Sequence, residues 1–267
     1  MNRFINLTSN KVILEELTNL IPRPSGQFKS YYVDPVDGDD NNTGSSDQPF
    51  KTLKKAITSA PLGGYTSINL LKDYTAKEGA ITLYNSYIEL TLKGKLTINT
   101  HISGSYSILD THINMVNSAF VINIDSNNKG KLELTKTTDK PLAPTHQGLF
   151  LSRKGTNTLE VDLMVQEDNY NPIKLNGVGF MTADTWSYKR HNFNFALSGH
   201  YKGNNRDVIV DNTMLVYTKT VPCSVYIKWE NNFVDNNGNV LNPSNLIDGI
   251  VKDSDGKPRN ITSNLIL

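Results

Sequence analysis

The sequence predicts an all-β chain wound as a solenoid of short strands, with one short helix as a lid at its start. Three observations carry that expectation. Residues 31 to 61, YYVDPVDGDDNNTGSSDQPFKTLKKAITSAP, pass without a gap from an aromatic strand through a polar turn cluster into an amphipathic helix. Short β-prone apolar runs then recur at a step of about 20 residues, the length that one solenoid rung requires. Gly and Asn fill the intervals between the runs, where the chain has to turn.

Residues 1–30 come first. Val12, Leu14, Leu17 and Leu20 fit one face of a helix, which the run Ile21-Pro22-Arg23-Pro24-Ser25-Gly26 stops as a stiff linker. This stretch reads as an attachment arm or as a helix packed on a neighbouring domain.

The entrance follows. Tyr31, Tyr32 and Val33 form the strand, and DGDDNNTGSSD is too polar and too tolerant of left-handed backbone to do anything but turn. Phe50, Leu53, Ala56, Ile57 and Ala60 then recur at helical spacing, with Lys51, Lys54 and Lys55 off that stripe and Pro61 at its end. A short helix with one apolar face suits a lid over the open end of a strand stack, where core and backbone would otherwise meet water. The Tyr-Val strand, the Asp-Gly-Asp-Asp-Asn-Asn-Thr-Gly turn and the run Pro49 to Ile57 together resemble the N-terminal cap of right-handed parallel β-helix proteins, the pectate-lyase-like solenoids. In phage tailspikes and tail fibres such a cap precedes the helix proper. The resemblance implies a homotrimeric virion protein that meets the host surface, and it says nothing about chemistry, since the same cap introduces lyases, hydrolases, binding proteins and spacers.

The solenoid is expected over residues 31–215. Ile68, Ile88 and Ile108 mark one series and Ile81, Ile102 and Ile122 a second. Ile88, Leu90 and Leu92 alternate with Glu89, Thr91 and Lys93, giving one buried and one wet face. Corners are expected at Lys93-Gly94-Lys95, Ser103-Gly104-Ser105 and Ser126 to Gly130. After Lys136 the segment TTDKPLAPTHQG interrupts the register, and strands resume at 159–165 and 193–197. From 216 to 267 a small antiparallel C-terminal β module is expected. Its strands are 214–218, 224–229 and 232–234, and its tight turns are Asp235-Asn236-Asn237-Gly238 and Asp253-Ser254-Asp255-Gly256.

Composition narrows the partners. Lys and Arg number 27 against 26 Asp and Glu, so no nucleic-acid footprint is present. No stretch approaches the roughly 20 apolar residues of a membrane span, and the N-terminus lacks the pattern of a signal peptide. Cys223 stands alone in an apolar neighbourhood and reads as a buried thiol. These features suit assembly in host cytoplasm and localisation in the virion.

Chemistry is thinly written. Glycan-cleaving β-helices set carboxylates on a groove-facing strand. The weak candidates here are Glu89, Asp110 and Asp125, with Glu133 and Asp162 behind them. Asp37, Asp39, Asn41 and Thr43 imitate half of an EF-hand loop, but Asn42 and Gln48 stand where Gly and Glu are required, so a plain turn is expected. The five histidines show no metal-ligand spacing and no cofactor motif is present. Trp186, Tyr188 and Arg190 lie on the opposite parity from Phe193 and Phe195 and are the expected glycan-contacting residues. Three function classes follow. A non-catalytic phage tail protein that binds a host surface glycan and docks on other tail or baseplate proteins is favoured. The alternatives are a polysaccharide-degrading tailspike and a bacterial surface carbohydrate-binding protein.

Overall fold

The computed structural model describes residues 27–165, 172–183, 191–201, 207–211, 214–217, 223–229, 232–259 and 261–263. The chain opens with β1 (Phe28–Val33), crosses the helix α1 (Leu53–Thr58), and then lays down β2 (Tyr65–Leu70), β3 (Tyr74–Thr75) and β4 (Gly79–Tyr84), one strand on each of three sheets. The next pass comprises β5 (Tyr87–Leu92), β6 (Lys95–Ser103), β7 (Tyr106–Leu109) and β8 (Thr111–Val116), in which β7 folds back antiparallel on the end of β6. There follow β9 (Ala119–Asp125), β10 (Lys131–Thr135) and β11 (Gly148–Lys154), then β12 (Thr156–Val165), β13 (Ile173–Asn176) and β14 (Gly179–Ala183). The last described passes are β15 (His191–Tyr201), β16 (Asp207–Asp211) and β17 (Val216–Tyr217), then β18 (Cys223–Trp229), β19 (Asn232–Val234), β20 (Ile247–Asp248) and β21 (Ile261–Ser263).

Sheet A runs β1-β2-β5-β9-β12-β15-β18-β21, sheet B runs β3-β6-β10-β13-β16-β19, and sheet C runs β4-β8-β11-β14-β17-β20. Successive strands of each sheet pair in parallel, so the protein is a parallel β-helix. The core is stacked in columns. In sheet A, Tyr31, Ile68, Leu90, Ile122 and Val161 lie level. In sheet B the column is Ile98, Leu134, Leu175 and Val210. In sheet C it is Ile81, Ile113, Phe150, Met181, Val216 and Ile247. Strands with alternating burial, such as YIELTL of β5, send every second residue into this interior.

Two expectations change. The step is about 22 residues from Ile68 to Leu90 and between about 31 (Phe150 to Met181) and 41 (Leu134 to Leu175) in later turns, rather than 20 throughout. The extra chain goes into the β6–β7 hairpin and into a strap, Thr137–Gln147, between β10 and β11. Ile102 and Ile108 therefore sit in the hairpin and not in core columns; Ile102 is 58% exposed. The C-terminal strands, expected to be antiparallel, instead continue the parallel stack: β17 pairs β20, β16 pairs β19 and β15 pairs β18. The two Asx-Gly turns are present, but each carries a single antiparallel bridge, Val234 with Val240 and Lys252 with Pro258, rather than a pair of antiparallel strands. They act as corners because their flanking residues still carry the core, as with Phe233 level with Val208.

The corner between sheets C and A repeats. Gly63, Asn85, Asn117 and Gly155 all take positive φ, from 45° to 76°, a conformation that Gly and Asn tolerate best. The first three donate their backbone N–H groups one turn on: Gly63 to Asn85 O at 2.9 Å, Asn85 to Val116 O at 3.0 Å and Asn117 to Lys154 O at 2.9 Å. The Asn117 side-chain amide also donates to Asn85 Oδ1 at 2.9 Å. Buried behind it, Ser86, Ser118 and Asn157 form a polar ladder, with Ser86 N to Ser118 Oγ at 3.3 Å and Ser118 N to Asn157 Oδ1 at 3.0 Å. Gly130 shows a different constraint at its corner, since a Cβ there would lie 1.9 Å from Leu92 O.

At the entrance, Leu53, Ala56 and Ile57 of α1 and the preceding Phe50 are buried, as the apolar stripe predicts. Phe50 pairs with Val33, so the turn cluster returns to the strand that it left. Asp40 accepts the Lys51 and Thr52 backbone N–H groups, each at 2.9 Å, and Glu78 Oε2 accepts Lys54 N at 2.8 Å. Two carboxylates thus serve the orphan donors of the helix start. Burial pushes Asp34 up, but hydrogen bonds from Asp37 N, Lys72 and Val36 N outweigh it and hold the carboxyl below its usual range. The half EF-hand pattern forms a turn: Asn41 N and Nδ2 both donate to Asp39 Oδ1, at 2.8 and 2.9 Å, while Asp37 meets Lys72.

Candidate functional site: a histidine cluster at the root of the hairpin

The alternation of β8 (THINMV) places Ile113 and Met115 in the core and His112 and Asn114 on the outside of sheet C. His112 is nonetheless only 7% exposed. The strap explains this. Thr137 N and Oγ1 bond to Thr100 Oγ1 and O, Ser107 N donates to Pro141 O at 2.8 Å, Ala143 N donates to Ser107 O at 3.0 Å, and Gln147 N donates to Thr182 Oγ1 at 3.1 Å. The strap is thereby tied to the hairpin and to sheet C, and it lays His146 edge-on against His112 with ring centroids 4.8 Å apart. Thr145 Oγ1 lies 2.7 Å from His146 Nδ1.

Two further groups complete the cluster. Arg153 of β11 donates from Nε to Asn114 Oδ1 at 2.7 Å. His101 of β6 holds Asp110 through Nδ1 at 2.7 Å, with the imidazole half-exposed and the carboxylate largely buried. An ionised carboxylate only accepts, so His101 Nδ1–H is the donor in this contact. Burial pushes His112 down to about 4, aided by the positive fields of His146, Arg153 and His101, against a backbone hydrogen bond with Leu109. His112 Nδ1 is buried without a hydrogen-bond partner. Among the described residues, no group of three or more His, Cys, Asp or Glu side chains is arranged to hold a metal ion.

The sequence-selected carboxylates do not converge. Glu89 stands on the outer face of sheet A, level with Val121, and accepts Asn123 Nδ2 at 2.5 Å. Asp110 is the partner of His101. Asp125 caps its own turn, accepting Asn127 N at 3.0 Å and Asn128 Nδ2 at 2.7 Å. Glu133 pairs with Lys95 across sheet B at 3.6 Å. Asp162 is in register with Asn123, and its side chain lies outside the described residues. Trp186, Tyr188 and Arg190 lie outside the described residues, as do the proposed N-terminal helix and the Cys223 side chain. Three of the five histidines gather here although none are at motif spacing, because strand pairing and the strap bring together residues 11 to 45 positions apart. The Pro-bearing interruption TTDKPLAPTHQG was the available signal, since an ordered detour that carries a histidine has to cross something.

One aromatic feature also went unread. Phe28, Tyr65 and Tyr87 occupy one register column and stack ring on ring, with centroids 5.3 and 4.9 Å apart. Tyr65 and Tyr87 each open an alternating strand, YTSINL and YIELTL, which was the visible sign. Tyr65 is stacked between the other two rings, so the ladder braces the first turns of sheet A. No protein-family model, curated protein or solved structure matches this chain.

Proposed function

We propose that this chain is a bacteriophage tail protein of the tailspike or tail-fibre kind, homotrimeric, that recognises a host surface glycan without cleaving it. It would be assembled in host cytoplasm and carried in the virion beside other tail or baseplate proteins. The observation that carries the reading is the sealed entrance. A parallel β-helix begins under a turn-and-helix lid whose sequence resembles the cap of phage tailspikes, and the lid is anchored by Phe50, Leu53, Asp40 and Glu78. The glycan contacts in this reading include Trp186, Tyr188 and Arg190. Purified protein should adhere to host cells, and Trp186→Ala with Tyr188→Ala should reduce adhesion without lowering the melting temperature. Absence of adhesion to any cell that the parent phage infects would sink the proposal.

A second reading, glycan cleavage, is favoured by one arrangement. Glu89, Val121 and Glu160 lie level on β5, β9 and β12, so two carboxylates flank a short side chain with backbones about 9.6 Å apart. Inverting glycosidases separate their acid and base by about 6.5 to 9.5 Å. Release of reducing ends from host polysaccharide, lost in Glu89→Gln and Glu160→Gln, would replace the binding reading with this one.

A further inference from the structure

We propose that the outer faces of sheets A and B bind each other between copies of this chain, the acidic face of one copy against the basic face of the next. The threefold count rests on the reading above, whereas the pairing of faces stands on the distribution of charge.

The alternation of the strands sorts the charges by face. In sheet A, Leu90 and Val161 are buried in the core, so Glu89 and Glu160 lie on the outside, both level with Val121. No Lys or Arg occupies an outward position of β5, β9 or β12. Sheet B has the opposite sign. Leu96, Leu132 and Ile173 are buried, so Lys95, Lys131 and Lys174 lie outside, with Glu133 as the one carboxylate on the outer face of β6, β10 and β13. Lys131 is level with Lys95 and Lys174 with Glu133. Like charges directly opposite each other on neighbouring strands repel, and a carboxylate face brought against Lys95 and Lys131 offsets that. The heights also agree. Glu89 and Lys95 belong to the turn of β5 and β6, and Glu160 and Lys174 to the turn of β12 and β13. Copies related by rotation about an axis along the solenoid are not displaced along it, so sheet A of one copy meets sheet B of the next turn for turn, a heterologous contact that closes into a ring. The pairs within each face leave capacity for a partner. Lys95 meets Glu133 at 3.6 Å with both side chains partly exposed, and an ammonium carries three donors. Asn123 engages only Oε1 of Glu89, and Lys174 is exposed. Charges so arranged decide which faces meet and in what register more than they supply affinity, and the half-buried rings of Tyr65 and Tyr87 add apolar area to the same face.

The test is sedimentation of the full chain at low salt and at about 1 M salt, where charges are screened within about 3 Å. An oligomer at low salt that dissociates at high salt is expected. Glu89→Lys with Glu160→Lys, and Lys95→Glu with Lys174→Glu, should each raise the dissociation constant roughly a hundredfold by setting like charges face to face, with the melting temperature unchanged. The chain that carries all four changes should reassemble, because its two faces have exchanged sign. Should a reversed pair fail to fold, the salt series of the unaltered chain and the milder Glu89→Gln with Glu160→Gln decide. A monomeric unaltered chain overturns the pairing, as does assembly that is indifferent to salt and to both pairs, or a folded fourfold variant that stays apart. A monomer that binds polyglucuronate through Lys95 and Lys174 would overturn it too and assign the sheet B face to an acidic glycan. So would release of reducing ends that Glu89→Gln abolishes, since a face covered by another copy holds no substrate. A salt-sensitive ring with no adhesion to host cells would remove the tail reading and keep this interface. Adhesion by an assembly that every variant leaves whole would do the reverse.

Discussion

Thr66 occupies a core column of sheet A that continues through Ile88 to Phe120, yet its hydroxyl has no hydrogen-bond partner. A buried hydroxyl without a partner costs about 1 to 3 kcal/mol. Thr66→Val keeps the shape and removes the cost, so it should raise stability by about 1 kcal/mol and the melting temperature by a few degrees. A fall in melting temperature would show that the hydroxyl is satisfied after all. His112 makes the pH-dependent counterpart. Burial first, then the fields of His146, Arg153 and His101, lower its proton affinity from the ordinary 6.5 to about 4. The fold therefore favours neutral His112: its contribution is complete above pH 6.5 and declines as pH falls toward 4. The loss should approach about 3 kcal/mol by linkage, measured by denaturant unfolding across that range. His112→Gln should flatten the slope between pH 6.5 and 4, whatever it does to the absolute stability.

Among the elements, α1 is the one on which the others depend. Phe50→Asp or Leu53→Asp would bury an unpaired charge under the lid at a cost of about 4 kcal/mol or more, and insoluble product is the expected result. Normal expression and melting in either variant would mean that the stripe faces water. Glu78 is subtler. Burial raises its proton affinity, against hydrogen bonds from Tyr74 and the backbone of Lys54 and Leu53, with Asp40 reinforcing the rise. Glu78→Ala should cost about 2 kcal/mol through the helix start that it caps. The lid was legible because helical periodicity and the Asx-rich turn are local signals. Strand alternation was legible for the same reason, as in β5 and β12. The turn-to-turn step was not, because Ile88 and Ile108 share a spacing without sharing a column, and only pairing distinguishes β8 from the hairpin arm β7. The C-terminal corners misled in the same way. Asp235 accepts the backbone N–H groups of Asn237 and Asn239 at 2.8 and 2.9 Å, which is hairpin chemistry locally. Parallel neighbours a full turn away decide the strand direction.

For the molecule as a whole, the tail-protein reading expects threefold assembly, and light scattering should return about three times the 29.8 kDa chain mass. A monomer at micromolar concentration would count heavily against it. The histidine cluster was illegible for a reason of scale: its members come from β6, β8, the strap and β11, and a solenoid brings residues together by stacking rather than by sequence spacing. The same stacking gives the corner of Gly63, Asn85, Asn117 and Gly155 a role in how such a chain can change length. All four positions present positive φ, and Gly63, Asn85 and Asn117 pass their N–H groups to the next turn. A segment excised or duplicated from one such corner to the next rejoins like to like, whereas a cut of a few residues inside a strand reverses the inward and outward faces beyond it. The corners thus act as graduations on a ruler: evolution can lengthen or shorten this shaft in whole turns, each worth about 4.8 Å along the axis, and hardly at all in between.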